Sequence, residues 1–218
     1  MIRAQYKNNE YFEKYILVQE DRIGKFSEKM SSLNKSETSK ISQCKKVLSR
    51  LYRDLISAKY SLGLSKEELE NDVKAFLRYT EKPDSYNEMI DILSMMIIFG
   101  EDAKSYKGIV SNKEYDDALV VKLKKKLGIS LNEDLDNLKF PNRYSIFDNY
   151  LDEKINAVQF ISYLDEKWYD TCSDDYFYDS HNKGTNTYVG YWCWLAAAIL
   201  KIKTSSVVKG KYIPFELI

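Results

Sequence analysis

The only histidine in these 218 residues, His181, stands at the end of a run of carboxylates. Asp170, Asp174, Asp175 and Asp179 precede it, and Cys172 lies in the same stretch. Imidazole, thiolate and carboxylate are the common metal-ligating groups, and a thiol beside an imidazole is a nucleophilic pair. Neither chemistry fits the spacing. Zinc needs three or four N or S ligands, and one His with one Cys falls short. Calcium would accept oxygens from Asp174, Asp175 and Asp179, but the glycine and closing glutamate of an EF-hand loop are absent. Cys172 and Cys193, the candidates to pair with His181, both adjoin apolar aromatic stretches, where cysteines are usually inert. Adjacent acids at Asp116-Asp117, Asp165-Glu166 and Asp174-Asp175 read as solvated pairs. No phosphate-binding glycine loop, HExxH helix or GxSxG elbow occurs. The expectation is a protein with no catalytic residue, no metal and no cofactor: not an enzyme.

The same stretch has the composition of a contact surface. Its acids are interleaved with Tyr169, Tyr176, Phe177 and Tyr178, which supplies charge and aromatic anchors together. Asp170, Asp174, Asp175, Tyr176, Tyr178 and Asp179 are the expected partner-binding residues. The loop is expected to be exposed, so reversing Asp174 and Asp175 should weaken binding and leave stability unchanged. Net charge is zero, yet residues 1–60 hold 13 basic against 7 acidic side chains, while residues 131–181 hold 4 against 12. Such asymmetry can steer association. A rival reading makes the basic half a nucleic-acid-binding helical module through Lys35, Lys40, Lys45, Lys46, Arg50 and Arg53. Neutral overall charge and the lack of a helix-turn-helix pattern count against it. The run from Lys122 to Lys126, with Lys124, Lys125 and Lys126 pointing different ways around a helix, reads as a solvated face. A small metal-dependent enzyme built on the aspartates is a further rival.

Helices must position these residues. Eight Gly and three Pro are few for this length, and many Lys, Glu, Leu and Ile favour helix over strand. Tyr11, Tyr15, Val18, Ile23 and Phe26 recur at helical spacing over residues 9–33. Thr38 or Ser39 opens a second helix that ends near Gly63. Ser65 with Glu68, and Ser85 with Glu88, are capping-box pairs opening the third and fourth helices. The fourth is apolar nearly all round and should lie centrally. A fifth helix is expected over 113–127, one broken helix or two short ones over 144–168, and a core helix over 192–202. Residues 132–141, polar, acidic and proline-ended, mark the expected division between regions 1–130 and 131–218. The fold expected is all-α: an N-terminal bundle of long helices, with a smaller, aromatic-rich helical C-terminal part packed against it. Three cysteines without CxxC spacing, no signal pattern and no apolar run of membrane-spanning length lead to a cytoplasmic expectation.

The C-terminal order of residues is the most specific feature. Trp168-Tyr169 are followed by His181, then Tyr188, Gly190, Tyr191 and Trp192, an Ala-rich helix at Ala196, Ala197 and Ala198, and an ending with Tyr212, Pro214, Phe215 and Leu217. This pattern resembles the PoNe immunity (PoNi) family, the immunity proteins of polymorphic DNase toxins. Earlier pieces, Tyr60-Ser61-Leu62-Gly63 and Leu93-Ser94, also look like that family. Leu195 stands where the family often has Glu, and Glu216 replaces the closing Asp. The resemblance implies two helical regions and binding of a cognate DNase toxin in the bacterial cytoplasm, with no direct contact to nucleic acid or membrane. It also implies a structural motif of Trp168, His181, Tyr188, Gly190, Tyr191, Trp192, Tyr212 and Pro214. The packing of this aromatic stretch separately predicts that Trp192 is buried.

Overall fold

The computed structural model describes residues 1–131, 135–184, 186–204 and 209–218, so residues 132–134 of the expected division lie outside it. The described residues form α-helices, short 3-10 segments and one π-helical stretch, with no strand. The all-α expectation holds. The chain divides into two compact units, Met1–Lys82 with Asp179–Tyr191, and Pro83–Tyr178 with Trp192–Ile218. The second unit takes in both sides of the 130/131 division expected from composition.

Unit 1 is built on α1 (Asn9–Ser32), α2 (Thr38–Leu62) and α3 (Lys66–Tyr79), with α2 packed against both others. The buried stripe of α1 is Phe12, Ile16, Gln19 and Ile23, spaced by four, three and four residues. This corrects the expected face: Val18 is exposed, and Tyr11, Tyr15 and Phe26 are half-buried. The stripe is hard to see because a glutamine sits in it. Gln19 is tolerated there because its amide donates to the Leu51 carbonyl (3.2 Å), so the buried polar group is satisfied. α2 stops at Gly63, whose φ of 107° is open to glycine and strained for other residues. The Met1 carbonyl also occupies the space where a Cβ would stand. Arg3 then donates to the carbonyls of Tyr60 (3.0 Å) and Leu64 (2.6 Å), placing a cation at the negative end of α2. α3 opens on the complete Ser65–Glu68 capping box.

Unit 2 is built around α4 (Tyr86–Phe99), which packs on α6 (Ala118–Lys126) and α9 (Trp194–Ile202). A short α5 (Lys107–Val110) precedes α6; α7 (Pro141–Leu151) and α8 (Ala157–Tyr163) follow. Ten of the fourteen residues of α4 are buried, which explains its all-round apolarity. Its capping box is only half formed. Ser85 accepts from the Glu88 amide (3.2 Å), but the Glu88 carboxylate accepts from the Asp84 amide (2.6 Å) instead of returning to Ser85. At the other end Lys201 donates to the Ile98 carbonyl (2.6 Å). The expected fifth helix starts later than 113, because Asp117 caps α6 by accepting from the Val120 amide (2.9 Å). α9 starts at Trp194, two residues after the expected start.

Two solvated-surface expectations are overturned. Lys124 is 0% exposed; its ammonium donates to the Asn112 carbonyl (2.7 Å) and pairs with Asp116 (2.5 Å). Asp117 is buried too, and accepts from the Tyr86 hydroxyl (2.8 Å) and the Lys139 amide (3.0 Å) as well as capping α6. Both acids of the Asp116-Asp117 pair are therefore structural. Lys124→Ala should cost about 3 kcal/mol in chemical denaturation, at the lower end for a broken buried pair because Asp116 is itself 12% exposed. Lys126→Ala, at an exposed position, should stay within about 0.5 kcal/mol of the parent.

Candidate partner-binding site

The acidic, aromatic stretch divides between the units at Tyr178 and Asp179, so its two parts are separate structures.

In unit 2, α8 widens into a single π-helical stretch, Leu164–Trp168, and then tightens into the 3-10 segment Tyr169–Cys172. Turns continue the path: the Asp175 amide donates to the Cys172 carbonyl (2.8 Å) and the Tyr178 amide to the Asp175 carbonyl (3.0 Å). Rings anchor it. Tyr169 stacks on Tyr178 at 4.7 Å and on Tyr212 at 5.8 Å, and Trp168 packs on Tyr212 at 5.1 Å. Trp168, Tyr212 and Pro214 are buried, whereas Trp192 is only half-buried, which corrects its expected burial.

The four acids expected to act together differ in circumstance. Asp175 is half-buried and its carboxylate is fully engaged. Oδ2 accepts from Arg143 Nη2 (2.6 Å) and Oδ1 from Asn87 Nδ2 (2.9 Å), while the Asn87 carbonyl oxygen accepts from the Tyr144 hydroxyl (2.7 Å). Reversing Asp175 would set two cations against each other, so the expectation that this change leaves stability untouched is corrected. Asp170 and Asp174 are exposed, and neither carboxylate has an ion-pair or hydrogen-bond partner among the described residues. Tyr176 is 59% exposed and Tyr178 half-buried under Tyr169. Asp174 also borders a hollow of about 500 Å³ that is shared with Asn87, Lys139, Phe140, Arg143 and Thr171. Phe140 is 51% exposed. Sequence reading passed over Phe140 and Arg143. Their one signal was an aromatic and a lone arginine bracketing a proline at a helix start.

In unit 1, Asp179 adopts a left-handed φ of 56° and accepts from Asn182 Nδ2 (2.7 Å). His181 stacks on Tyr6 at 3.9 Å, and its Nδ1 and backbone amide meet the Tyr191 hydroxyl at 2.7 and 3.2 Å. Tyr188 is buried on α1 and α2: Tyr11 donates to its carbonyl (3.0 Å), and Ser61 donates to the next carbonyl, at Val189 (2.6 Å). Gly190, at φ 101°, turns the chain here. The imidazole is thus held in a ring cluster of unit 1, while Asp170, Asp174 and Asp175 belong to unit 2. Among the described residues no group of three His, Cys, Asp or Glu side chains is placed to hold a metal ion. Of the basic residues in the rival reading, Lys40 pairs with Glu37 (2.6 Å) and Lys45 with Glu81 (2.8 Å).

The family model described as "PoNe immunity protein (PoNi), N-terminal" matches residues 3–111, and "PoNe immunity proteins (PoNi), C-terminal" matches residues 115–215. No curated protein and no solved structure matches the chain.

All three cysteines are free and buried. Burial pushes the Cys172 thiol from its ordinary 9.0 up to about 12, against a smaller opposing effect of Arg143. A disulfide reagent at neutral pH should therefore find no fast-reacting thiol in the native protein, and modification should follow unfolding. The unfolded thiol ionises first, so Cys172's contribution to stability is intact below pH 9.0 and lost as pH rises towards about 12. A melting temperature that begins to fall above that lower value, and falls less in Cys172→Ala, is the expected outcome.

Proposed function

The chain belongs to the PoNe immunity protein (PoNi) family, a family of toxin immunity proteins, and on that footing we propose that it binds and neutralises a cognate DNase toxin through the turn that carries Asp170, Asp174 and Tyr176. The observation that carries this reading is the pair of exposed, partnerless carboxylates beside an exposed aromatic ring, in a unit where Asp116, Asp117 and Asp175 are engaged. A DNase must attract phosphate, so its active face is basic. Exposed carboxylates offer that face an alternative to phosphate and draw the two proteins together from a distance. Tyr176 and Phe140 add rigid apolar area of the kind that anchors protein interfaces. In this reading Asp175 and Tyr178 shape the turn from within and the chain performs no catalysis.

The proposed setting is the bacterial cytoplasm, with the toxin delivered by a secretion system. Three free, buried thiols suit a reducing compartment, and no described helix is long and apolar enough to cross a membrane.

Co-expression with the toxin encoded beside it should protect the host, and the purified chain should suppress DNase activity. Reversing Asp170 and Asp174 together to Lys should slow association about tenfold or more at low salt. Stability should change by no more than about 0.5 kcal/mol, because the two charges are exposed. Raising the ionic strength should narrow the gap between parent and variant. An unchanged association rate would remove this turn from the interface. Failure of the parent itself to protect would count against toxin neutralisation.

A further inference from the structure

The two acids proposed to meet the toxin sit on a segment of 3-10 and turn structure, which has few backbone hydrogen bonds of its own. A short, irregular turn presents charges in one fixed arrangement only when side chains brace it. The brace is visible. Asp175 lies one residue after Asp174 and points inward, and the first turns of two helices grip its two oxygens. Arg143, two residues into α7 after Pro141, holds Oδ2; Asn87, one residue into α4, holds Oδ1 and is itself oriented by Tyr144. Arg143 Nη2 also reaches Cys172 Sγ (3.3 Å), at the end of the 3-10 segment. One guanidinium therefore ties down both the start and the middle of the turn. Its Nε is buried with no hydrogen-bond partner among the described residues, so the side chain is committed to this position at some cost.

We propose that Arg143 is a positioning residue for toxin binding: through Asp175 and Cys172 it locks the turn in the form that presents Asp170 and Asp174. The role rests on the reading that this turn is the docking surface. Arg143 itself need not touch the toxin. Arg also suits this place: the planar guanidinium holds Nη2 and its two N–H donors in fixed directions towards the carboxylate and the sulfur, whereas an ammonium is a rotatable point charge on a flexible stem.

The test combines hydrogen exchange on the full chain with association kinetics, using a catalytically inactivated form of the neighbouring toxin as the probe. Arg143→Met keeps bulk and removes the fork. The amides of Asp175 and Tyr178 should lose about tenfold or more of their protection, while amides in α4, α6 and α9 keep theirs. Association should slow several-fold, and its salt dependence should persist because Asp170 and Asp174 remain. Arg143→Lys should recover little of either, which a purely charge-based role would not produce. If Arg143→Met unfolds the unit, Asn87→Ala, which leaves the ion pair and removes the second brace, is judged by the same two readouts.

Undiminished protection at Asp175 and Tyr178 would overturn the proposal. So would lost protection with an unchanged association rate, if reversal of Asp170 and Asp174 does slow binding. If that reversal also has no effect, the docking reading fails and the positioning role for toxin binding falls with it. The exchange data would then still report whether Arg143 holds the turn.

Discussion

A carboxylate withdrawn from water must be met by donors, and unit 2 is organised around that requirement. Asp117 is met by a tyrosine hydroxyl and two backbone amides, which join α4, the start of α6 and the segment leading into α7. Asp116 is met by Lys124 and Asp175 by Arg143 and Asn87. The partners of Asp117 and Asp175 link segments distant in sequence, and Lys124 ties the loop before α6 back onto that helix, so local charge chemistry becomes tertiary structure. Asp170 and Asp174 fall outside this scheme, and their exclusion gives them meaning. Surface acids are common and individually uninformative. Two that remain unpartnered beside exposed rings, on a turn whose neighbouring acid is engaged, are what the proposed docking surface rests on.

Aromatic side chains do comparable work for the C-terminal pattern. In unit 2, Trp168, Tyr169, Tyr178 and Tyr212 form a stack that fixes the start of the acidic turn. In unit 1, Tyr188, Tyr191, His181 and Tyr6 form another cluster, joined to α1 by a tyrosine hydroxyl and to α2 by a serine. His181, which had the most catalytic promise on paper, is a member of a packing cluster. Its hydrogen bond to Tyr191 and its stacking on Tyr6 account for it without substrate or metal.

Much of the helical framework was legible because its signals are local. Gly63 ends α2, Ser65 opens α3, and α4 runs from Tyr86 to Phe99, each as capping and periodicity indicate. The misread polar residues share one cause. Gln19, Asp117 and Asp175 are polar residues withdrawn from water by partners far away in sequence, and Lys124 by partners across the loop before its helix; residue type alone announces neither. The same limit hid Arg143. A lone arginine after a proline carries no pattern, and its role is visible only once Asp175 is seen against it. The acidic stretch was legible as a surface, but not the division of labour within it.

The central claim is that the toxin meets this chain at the turn bearing Asp170, Asp174 and Tyr176. Hydrogen exchange of the chain, measured free and saturated with inactivated toxin, tests it most directly. The account predicts new protection concentrated in residues 169–178 and in the adjoining 139–143, where Phe140 borders the same hollow. Protection confined to α1, α2 and α3, with residues 169–178 exchanging as in the free chain, would contradict it.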